Sequence, residues 1–299
     1  MNSLTLKQLK YFEALALFGH FGRAADACSI SQPALSMQIK ELETSIGKTL
    51  FERGGRQIQL TNFGNEFALR AREILRAVDE LEDLGRSAGE ALEGRLRIGV
   101  IPTIAPYLLP SIISELTRKY PGLDIHMRET LTQKLIQELV EGRLDTAIVA
   151  LPINEPSLTE VPLFDEDFVL VRPLEDKGKP VPDSKMLGEM RLLLLEEGHC
   201  FRDQALSFCK IGSARPRETL DGSSLSTLVQ MVGAGIGVTL IPEMALTVET
   251  RSADVFVSRF KTAKPSRTIG MIWRKTNPLA QQLTQVSQIV RQAAKTLNS

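Results

Sequence analysis

Apolar residues recur at helical intervals through residues 4–50. Leu6, Leu9, Phe12, Leu15 and Leu17 mark one helix, and Phe21 to Ala27 a shorter second one packed through Ala24 and Ala25. Ser29-Ile30 breaks the pattern. Ser31 is a suitable N-cap, and Pro33 falls in the first turn of the next helix, where its missing N–H costs nothing. This third helix is predicted from Gln32 to Ser45, with Leu35, Ile39 and Leu42 on its buried face and Gly47 ending it. Ser36, Gln38 and Lys40 lie off that stripe. Two short helices at a tight turn predict a helix-turn-helix whose second helix offers amides and hydroxyls to base edges. Arg53-Gly54-Gly55-Arg56 reads as a turn leading into a strand over Gln57–Leu60, which makes the motif winged. Its arginines are placed to hold phosphates or enter a minor groove. The expected DNA contacts are Ser31, Gln32, Pro33, Ser36, Gln38, Lys40, Arg53 and Arg56.

Thr61 can cap a long helix from Asn62 to about Leu92, along which Phe63, Phe67, Ile74, Val78, Leu81 and Leu84 form an apolar seam. A helix of that length fits a two-stranded contact better than a small domain, so residues 62–92 are expected to be a dimerisation linker. From Gly94 the period changes. Strands are expected at Leu96–Val100, Leu123–Met127 and Leu144–Ala150, and helices at Pro106–Lys119 and Gln133–Glu141. A second cycle has strands at Phe168–Arg172, Arg191–Leu195 and Gly237–Ile241, a helix from Cys200 and another at Ser224–Val232. A strand at Thr268–Trp273 and a helix at Leu279–Leu297 close the chain. This alternation predicts a mainly parallel α/β sheet in two lobes, crossing near Ala150–Glu160 and Arg267, with a ligand cleft between them. The fold class is thus mixed: a winged helix-turn-helix over 1–61, a linker helix over 62–92 and a two-lobed α/β domain over 93–299.

Composition narrows the class without overturning this. A hydrophobic share of 43% and a charged share of 24% are those of a globular protein. No apolar run approaches the roughly 20 residues of a membrane span, and Met1 to Lys10 lacks the apolar stretch of a secretory signal, so a cytoplasmic location and no membrane partner are expected. Net charge is +0, and over residues 1–60 Lys and Arg outnumber Asp and Glu by only seven to five. Charge alone therefore gives no case for nucleic acid. His20, His126 and His199 are scattered, and there is no Cys-x-x-Cys, so neither a metal site nor a cofactor is expected. Gly233-Ala234-Gly235-Ile236-Gly237 lies between a helix and a strand, the reverse of a dinucleotide fingerprint, and reads as a tight turn. There is no Gly-x-Ser-x-Gly nucleophile elbow, and no enzyme is expected.

Chemistry concentrates in Gly198-His199-Cys200 through Phe208-Cys209. His199 and Arg202 frame the first thiol and favour a thiolate, as does a helix beginning there. Along a helix the two thiols differ by about 13.5 Å of rise and about half a turn. A disulfide needs Cα atoms within about 7 Å. Any bridge between them therefore requires the helix to unwind. Cys28, beside apolar residues of the helix-turn-helix, reads as core.

Ser31-Gln32-Pro33-Ala34-Leu35-Ser36, Leu42-Glu43, Gly47 and Leu50-Phe51-Glu52-Arg53 resemble the signature of LysR-type transcriptional regulators. The remainder fits that family's periplasmic-binding-protein-like effector domain. Four further tracts resemble the peroxide-sensing members: Ile101-Pro102-Thr103 with Pro106–Pro110, Val161–Glu166, Gly198–Cys209, and Arg267–Gly270. The resemblance implies a tetrameric activator of antioxidant genes that binds promoter DNA, works with RNA polymerase and responds to hydrogen peroxide. It implies Cys200 as peroxidatic and Cys209 as resolving cysteine, reset by a thiol reductant such as glutaredoxin or thioredoxin. It places Thr103, Thr132, His199, Arg202, Asp203 and Arg267 in a peroxide pocket. A LysR-type regulator that binds a small organic effector in the cleft is the alternative. A thiol peroxidase leaves the helix-turn-helix without a role.

Overall fold

Caps written into the sequence set the N-terminal helices. In the computed structural model, which describes residues 4–52, 58–87, 92–209, 220–261 and 264–297, α1 spans Leu6–Phe18, closed at its start by a capping box between Thr5 and Gln8. Helix α2 spans Phe21–Ala27, capped by the His20 ring. Helix α3 spans Gln32–Ile46, with Ser31 accepting from the Ala34 amide and Gly47 in the left-handed conformation that ends it. Leu9, Phe12, Leu15, Leu35, Ile39 and Leu42 meet in one buried cluster. Strands β1 (Phe51–Glu52) and β2 (Gln59–Leu60) pair antiparallel as the wing. The buried carboxylate of Glu43 accepts from the Leu50 and Phe51 amides and so ties that wing to α3. The turn holding Arg53 and Arg56 lies outside the described residues.

Helix α4 spans Asn62–Ser87, and Thr61 accepts from the Gly64 amide at its start. It does not reach Leu92. That residue is outside the helix and buried in the apolar core of the following unit, and residues 88–91 lie outside the described residues. Ala68, Ala71 and Leu75 of α4 close the N-terminal core, while Phe63, Ile74, Leu81 and Leu84 of the predicted seam are exposed. The chain divides into two units, Met1–Gly85 and Arg86–Ser299.

The second unit runs β3 (Gly94–Val100), α5 (Ala105–Lys119), β4 (Leu123–Glu129), α6 (Thr132–Val140), β5 (Thr146–Leu151) and β6 (Leu158–Pro173). It continues with α7 (Ser184–Glu189), β7 (Leu193–Leu195), α8 (Cys200–Phe208), β8 (Leu220–Gly222), α9 (Leu225–Gly233) and β9 (Thr239–Pro242). Helix α10 (Leu246–Glu249), β10 (Val255–Ser258), β11 (Ser266–Arg274) and α11 (Ala280–Leu297) complete it. The large sheet has the order β10-β6-β11-β5-β3-β4, with β9 also on β6.

Two expectations are corrected here. The sheet is mixed, not mainly parallel: β3 is parallel to β4 and β5, but β11 is antiparallel to β5 and β6, and β6 is antiparallel to β9 and β10. The crossing near Ala150–Glu160 is displaced as well. Leu158 and Leu163 of β6 belong to one apolar core, and Phe168 to Val171 belong to the other, so the crossing falls at Asp165–Asp167. Pro162 and three acidic residues hide this strand in the sequence. The structure accommodates the proline at a register shift opposite Ile269/Gly270, a bulge where a missing N–H is tolerated.

Gly235 takes φ +74° in the turn after α9, and a Cβ on Gly237 would lie 2.4 Å from the Arg191 carbonyl oxygen. The glycine run is a packing device between α9 and β9. Gly237→Ala is expected to lower stability by about 1–3 kcal/mol, the range for a side chain forced into packed space. Denaturant unfolding followed by circular dichroism reads this, and an unchanged midpoint contradicts the close approach.

Candidate functional site: a thiol pocket

Three segments with little in common in sequence meet around Cys200. The loop after β3 brings Ile101, Pro102 and Thr103, the start of α6 brings Leu131 and Thr132, and the start of α8 brings Gly198, His199, Cys200 and Phe201. Together they line a small, partly open pocket. Both helices enter it by their N-termini, and neither has a side-chain cap, so their first amides are left for a ligand. The aligned peptide dipoles favour negative charge at such a point.

Cys200 is the first residue of α8 and is half-buried against the first apolar core. Beside it, burial holds His199 below its ordinary pKa against the opposing pull of Glu196, so the ring is neutral near pH 7. The Thr132 hydroxyl oxygen is buried with no hydrogen-bond partner among the described residues, which leaves it for a small polar ligand. Thr103 is buried and its hydroxyl oxygen accepts from Arg267 Nη1 at 2.7 Å, while its carbonyl accepts from Nη2 at 3.1 Å. Arg267 in turn pairs with Glu166, its cross-strand neighbour, at 2.7 Å, and both are buried. Its guanidinium lies 5.5 Å from the Phe201 ring centre. Arg267 thus stands behind Thr103 and does not itself line the pocket.

The other predicted residues fall elsewhere. Arg202 Nη1 donates to the Leu195 carbonyl and to Asp221, each at 2.6 Å, beside β7 and β8. Asp203 is exposed on the first turn of α8. Neither lines the pocket. Cys209 caps the far end of α8, with its thiol free and buried in the second apolar core, and burial pushes that thiol up to about 11. The two ends of α8 are anchored by different aromatic pairs, Phe201 on Phe168 at 4.7 Å and Phe208 on Phe260 at 5.2 Å.

On α3, Gln32, Pro33, Ser36 and Lys40 are exposed and Ser31 serves as the cap. Gln38 is half-buried and donates to Glu41 at 2.8 Å. Met37 completes the exposed face at helical spacing from Pro33, Ser36 and Lys40, and suits an apolar contact with a thymine methyl. That position was legible as the one off-stripe apolar residue of the helix. Leu131 and Ile101, by contrast, look like ordinary core, and only the fold brings them to Cys200. Gly198 takes φ +95°, and that backbone sets the entry to α8.

The chain is matched by two family models: the bacterial regulatory helix-turn-helix protein of the lysR family over residues 6–65, and the LysR substrate binding domain over residues 89–295. A probable hydrogen peroxide-inducible genes activator of Streptomyces viridosporus is 43% identical, covering 98% of this chain and 95% of the relative. The DNA-binding transcriptional dual regulator OxyR of Escherichia coli is 39% identical, covering 96% of this chain and 95% of that one. Among solved structures, a full-length OxyR variant from Pseudomonas aeruginosa superposes with a TM-score of 0.76 at 35% identity, over 97% of this chain and 96% of that one. A hydrogen-peroxide-bound OxyR variant from Corynebacterium glutamicum gives 0.67 at 36% identity, over 98% and 93%. The chain belongs to the LysR family of helix-turn-helix regulators, among the hydrogen peroxide-inducible genes activators.

Proposed function

We propose that this protein is a DNA-binding transcriptional activator that senses hydrogen peroxide through Cys200 and Cys209. The observation that carries the reading is a thiol at a helix N-terminus, in a pocket with two threonine hydroxyls, while the second thiol is held at the other end of the same helix. The Cys200 thiolate attacks one peroxide oxygen. An S–O bond forms and the O–O bond breaks. Sulfur is oxidised by two electrons, the sulfenic acid keeps one oxygen with its hydrogen, and the other oxygen leaves as hydroxide and takes a proton to become water. Thr103 and Thr132 orient the two oxygens, and neutral His199 supplies a ring hydrogen bond. Cys209 then attacks the sulfenic sulfur. The S–O bond breaks, water leaves with the Cys209 proton, and a disulfide remains. A dithiol reductant, of the glutaredoxin or thioredoxin type, reverses the bridge by exchange.

The second step needs the thiols within disulfide reach, which the intact helix forbids. Unwinding α8 draws Phe201 from Phe168 or Phe208 from Phe260 and repacks the second lobe. The repacking is the signal passed through a homotetramer to DNA at promoters and so to RNA polymerase. Residues 1–61 are the DNA-reading part, 62–92 the dimerisation linker and 93–299 the sensor. The exposed seam of α4 supports the linker role, and the exposed α3 face supports major-groove contact by Gln32, Pro33, Ser36 and Lys40. Arg202 and Asp203 act on α8 from outside the pocket, through the Asp221 pair and the first turn.

Four outcomes are expected. Thiol mass spectrometry after a brief peroxide dose, paired with promoter footprinting, should give a new Cys200–Cys209 bond and a changed footprint. Cys200→Ser should abolish both, and a full response in that variant overturns the mechanism. Cys209 should resist alkylation in the reduced native protein until the pH nears 11, because burial holds its proton. Its folded pKa is raised, so its stabilising effect is whole below the usual thiol value near 9 and fades as pH rises to about 11. Rapid Cys209 labelling at pH 8 in the native state contradicts that burial. Leu81→Glu, on the exposed seam, should shift the chain toward monomer in light scattering and weaken operator binding, whereas unchanged mass and affinity contradict the linker role.

A further inference from the structure

The structure assigns Glu166 as a positioning residue for the peroxide reaction, acting through Arg267 to hold the Thr103 hydroxyl as a committed donor into the Cys200 pocket. The assignment rests on the peroxide-sensing reading above. Every nitrogen of Arg267 is engaged. Nε donates to Glu166 at 2.8 Å, Nη2 is shared between Glu166 and the Thr103 carbonyl, and Nη1 donates to Thr103 Oγ1 at 2.7 Å. Four of its five N–H donors are used in these bonds, the guanidinium does not line the pocket, and its charge is matched by the buried carboxylate.

What reaches the pocket is the consequence for Thr103. A hydroxyl has one proton and two lone pairs. With Arg267 donating to one lone pair, the positive guanidinium turns the O–H dipole away from itself. The Thr103 proton then faces the pocket, where the departing peroxide oxygen gains negative charge as the O–O bond breaks. A fixed donor aimed at developing charge accelerates a reaction without costing reorganisation. Thr132 has no such partner and keeps both donor and acceptor capacity.

Glu166 is what fixes this arrangement. Without its carboxylate, Nε and Nη2 lose their acceptor and the buried guanidinium has reason to rotate off Thr103. The other oxygen of Glu166 accepts from the Met244 amide at 3.1 Å. Met244 packs against both apolar cores, so one carboxylate ties the pocket floor to the junction of the lobes. Glu166 lies where β6 passes from one core to the other, paired in register with Arg267.

The test uses the full chain carrying Cys209→Ser, so that only sulfenic acid formation is read, by trapping and mass spectrometry. Two rates at Cys200 are compared: oxidation by hydrogen peroxide, which needs a donor for the leaving oxygen, and alkylation by iodoacetamide, which needs only the thiolate. Glu166→Gln is expected to slow oxidation by about tenfold or more and to leave alkylation within about twofold. Glu166→Asp keeps the carboxylate, guards against a folding defect, and is expected to lose clearly less of the oxidation rate than Glu166→Gln. Combined with Thr103→Val, either change should add less than about twofold, because both act through one hydroxyl. The assignment is overturned if oxidation in Glu166→Gln stays within about twofold of the parent, if both of its rates fall together, or if its loss multiplies with that of Thr103→Val. If the parent Cys200 reacts with peroxide no faster than a free thiol, the peroxide-sensing reading itself fails.

Discussion

Cys200 and Cys209 stand at opposite ends of one nine-residue helix, and each belongs to a different apolar core. That separation governs the chemistry available to the molecule. Two thiols close in sequence are kept from each other by ordinary helix geometry and by aromatic packing at both ends. The first thiol opens onto a pocket, and the second is sealed in with its proton held to about pH 11. Oxidation at the first site therefore has two stages with different structural demands. In the proposed mechanism, sulfenic acid formation needs only the intact fold, and bridge formation needs the helix to give way.

The pocket depends on the same architecture. Two uncapped helix N-termini supply a field that favours an anion, but such a field at a partly exposed end is worth only about 0.3–1 kcal/mol. Orientation has more to contribute than charge. Arg267, the nearest buried cation, is neutralised by Glu166 and held behind Thr103. Arg202 is drawn toward Asp221 and the edge of the small sheet. The pocket presents one hydroxyl held by Arg267, one without a partner among the described residues and an imidazole that burial keeps neutral, a lining that in the proposed mechanism suits a small neutral oxidant better than an anionic metabolite.

Much of this was legible in the sequence, for identifiable reasons. The helix-turn-helix announced itself through Ser31, Pro33 and Gly47, residues whose backbone preferences fix boundaries wherever they fall. Cys200, Cys209 and His199 were visible because cysteine and histidine are scarce in this chain. Only the second half of β6, Phe168–Arg172, was legible as a strand; the first half was not, because Pro162 and the run from Asp165 to Asp167 break the apolar alternation that marks one. The parallel expectation failed with it, since β6 and β11 form the antiparallel ribbon that joins the lobes. Glu166 entered the sequence reading only as the end of the Val161–Glu166 tract, with no role of its own, and only pairing with Arg267 across that ribbon makes it a buried partner of the pocket. The predicted linker helix ran to about Leu92, and Leu92 instead belongs to the next core.

On the proposed mechanism, the bridged state demands a different backbone path from residue 200 to residue 209. Amide hydrogen exchange over this segment, compared between the reduced protein and protein oxidised to the disulfide, reads that path. Amides from Phe201 to Cys209 are expected to be protected in the reduced state and to lose that protection once the bridge forms. Equal protection in both states, with the disulfide verified in the same sample, would contradict it.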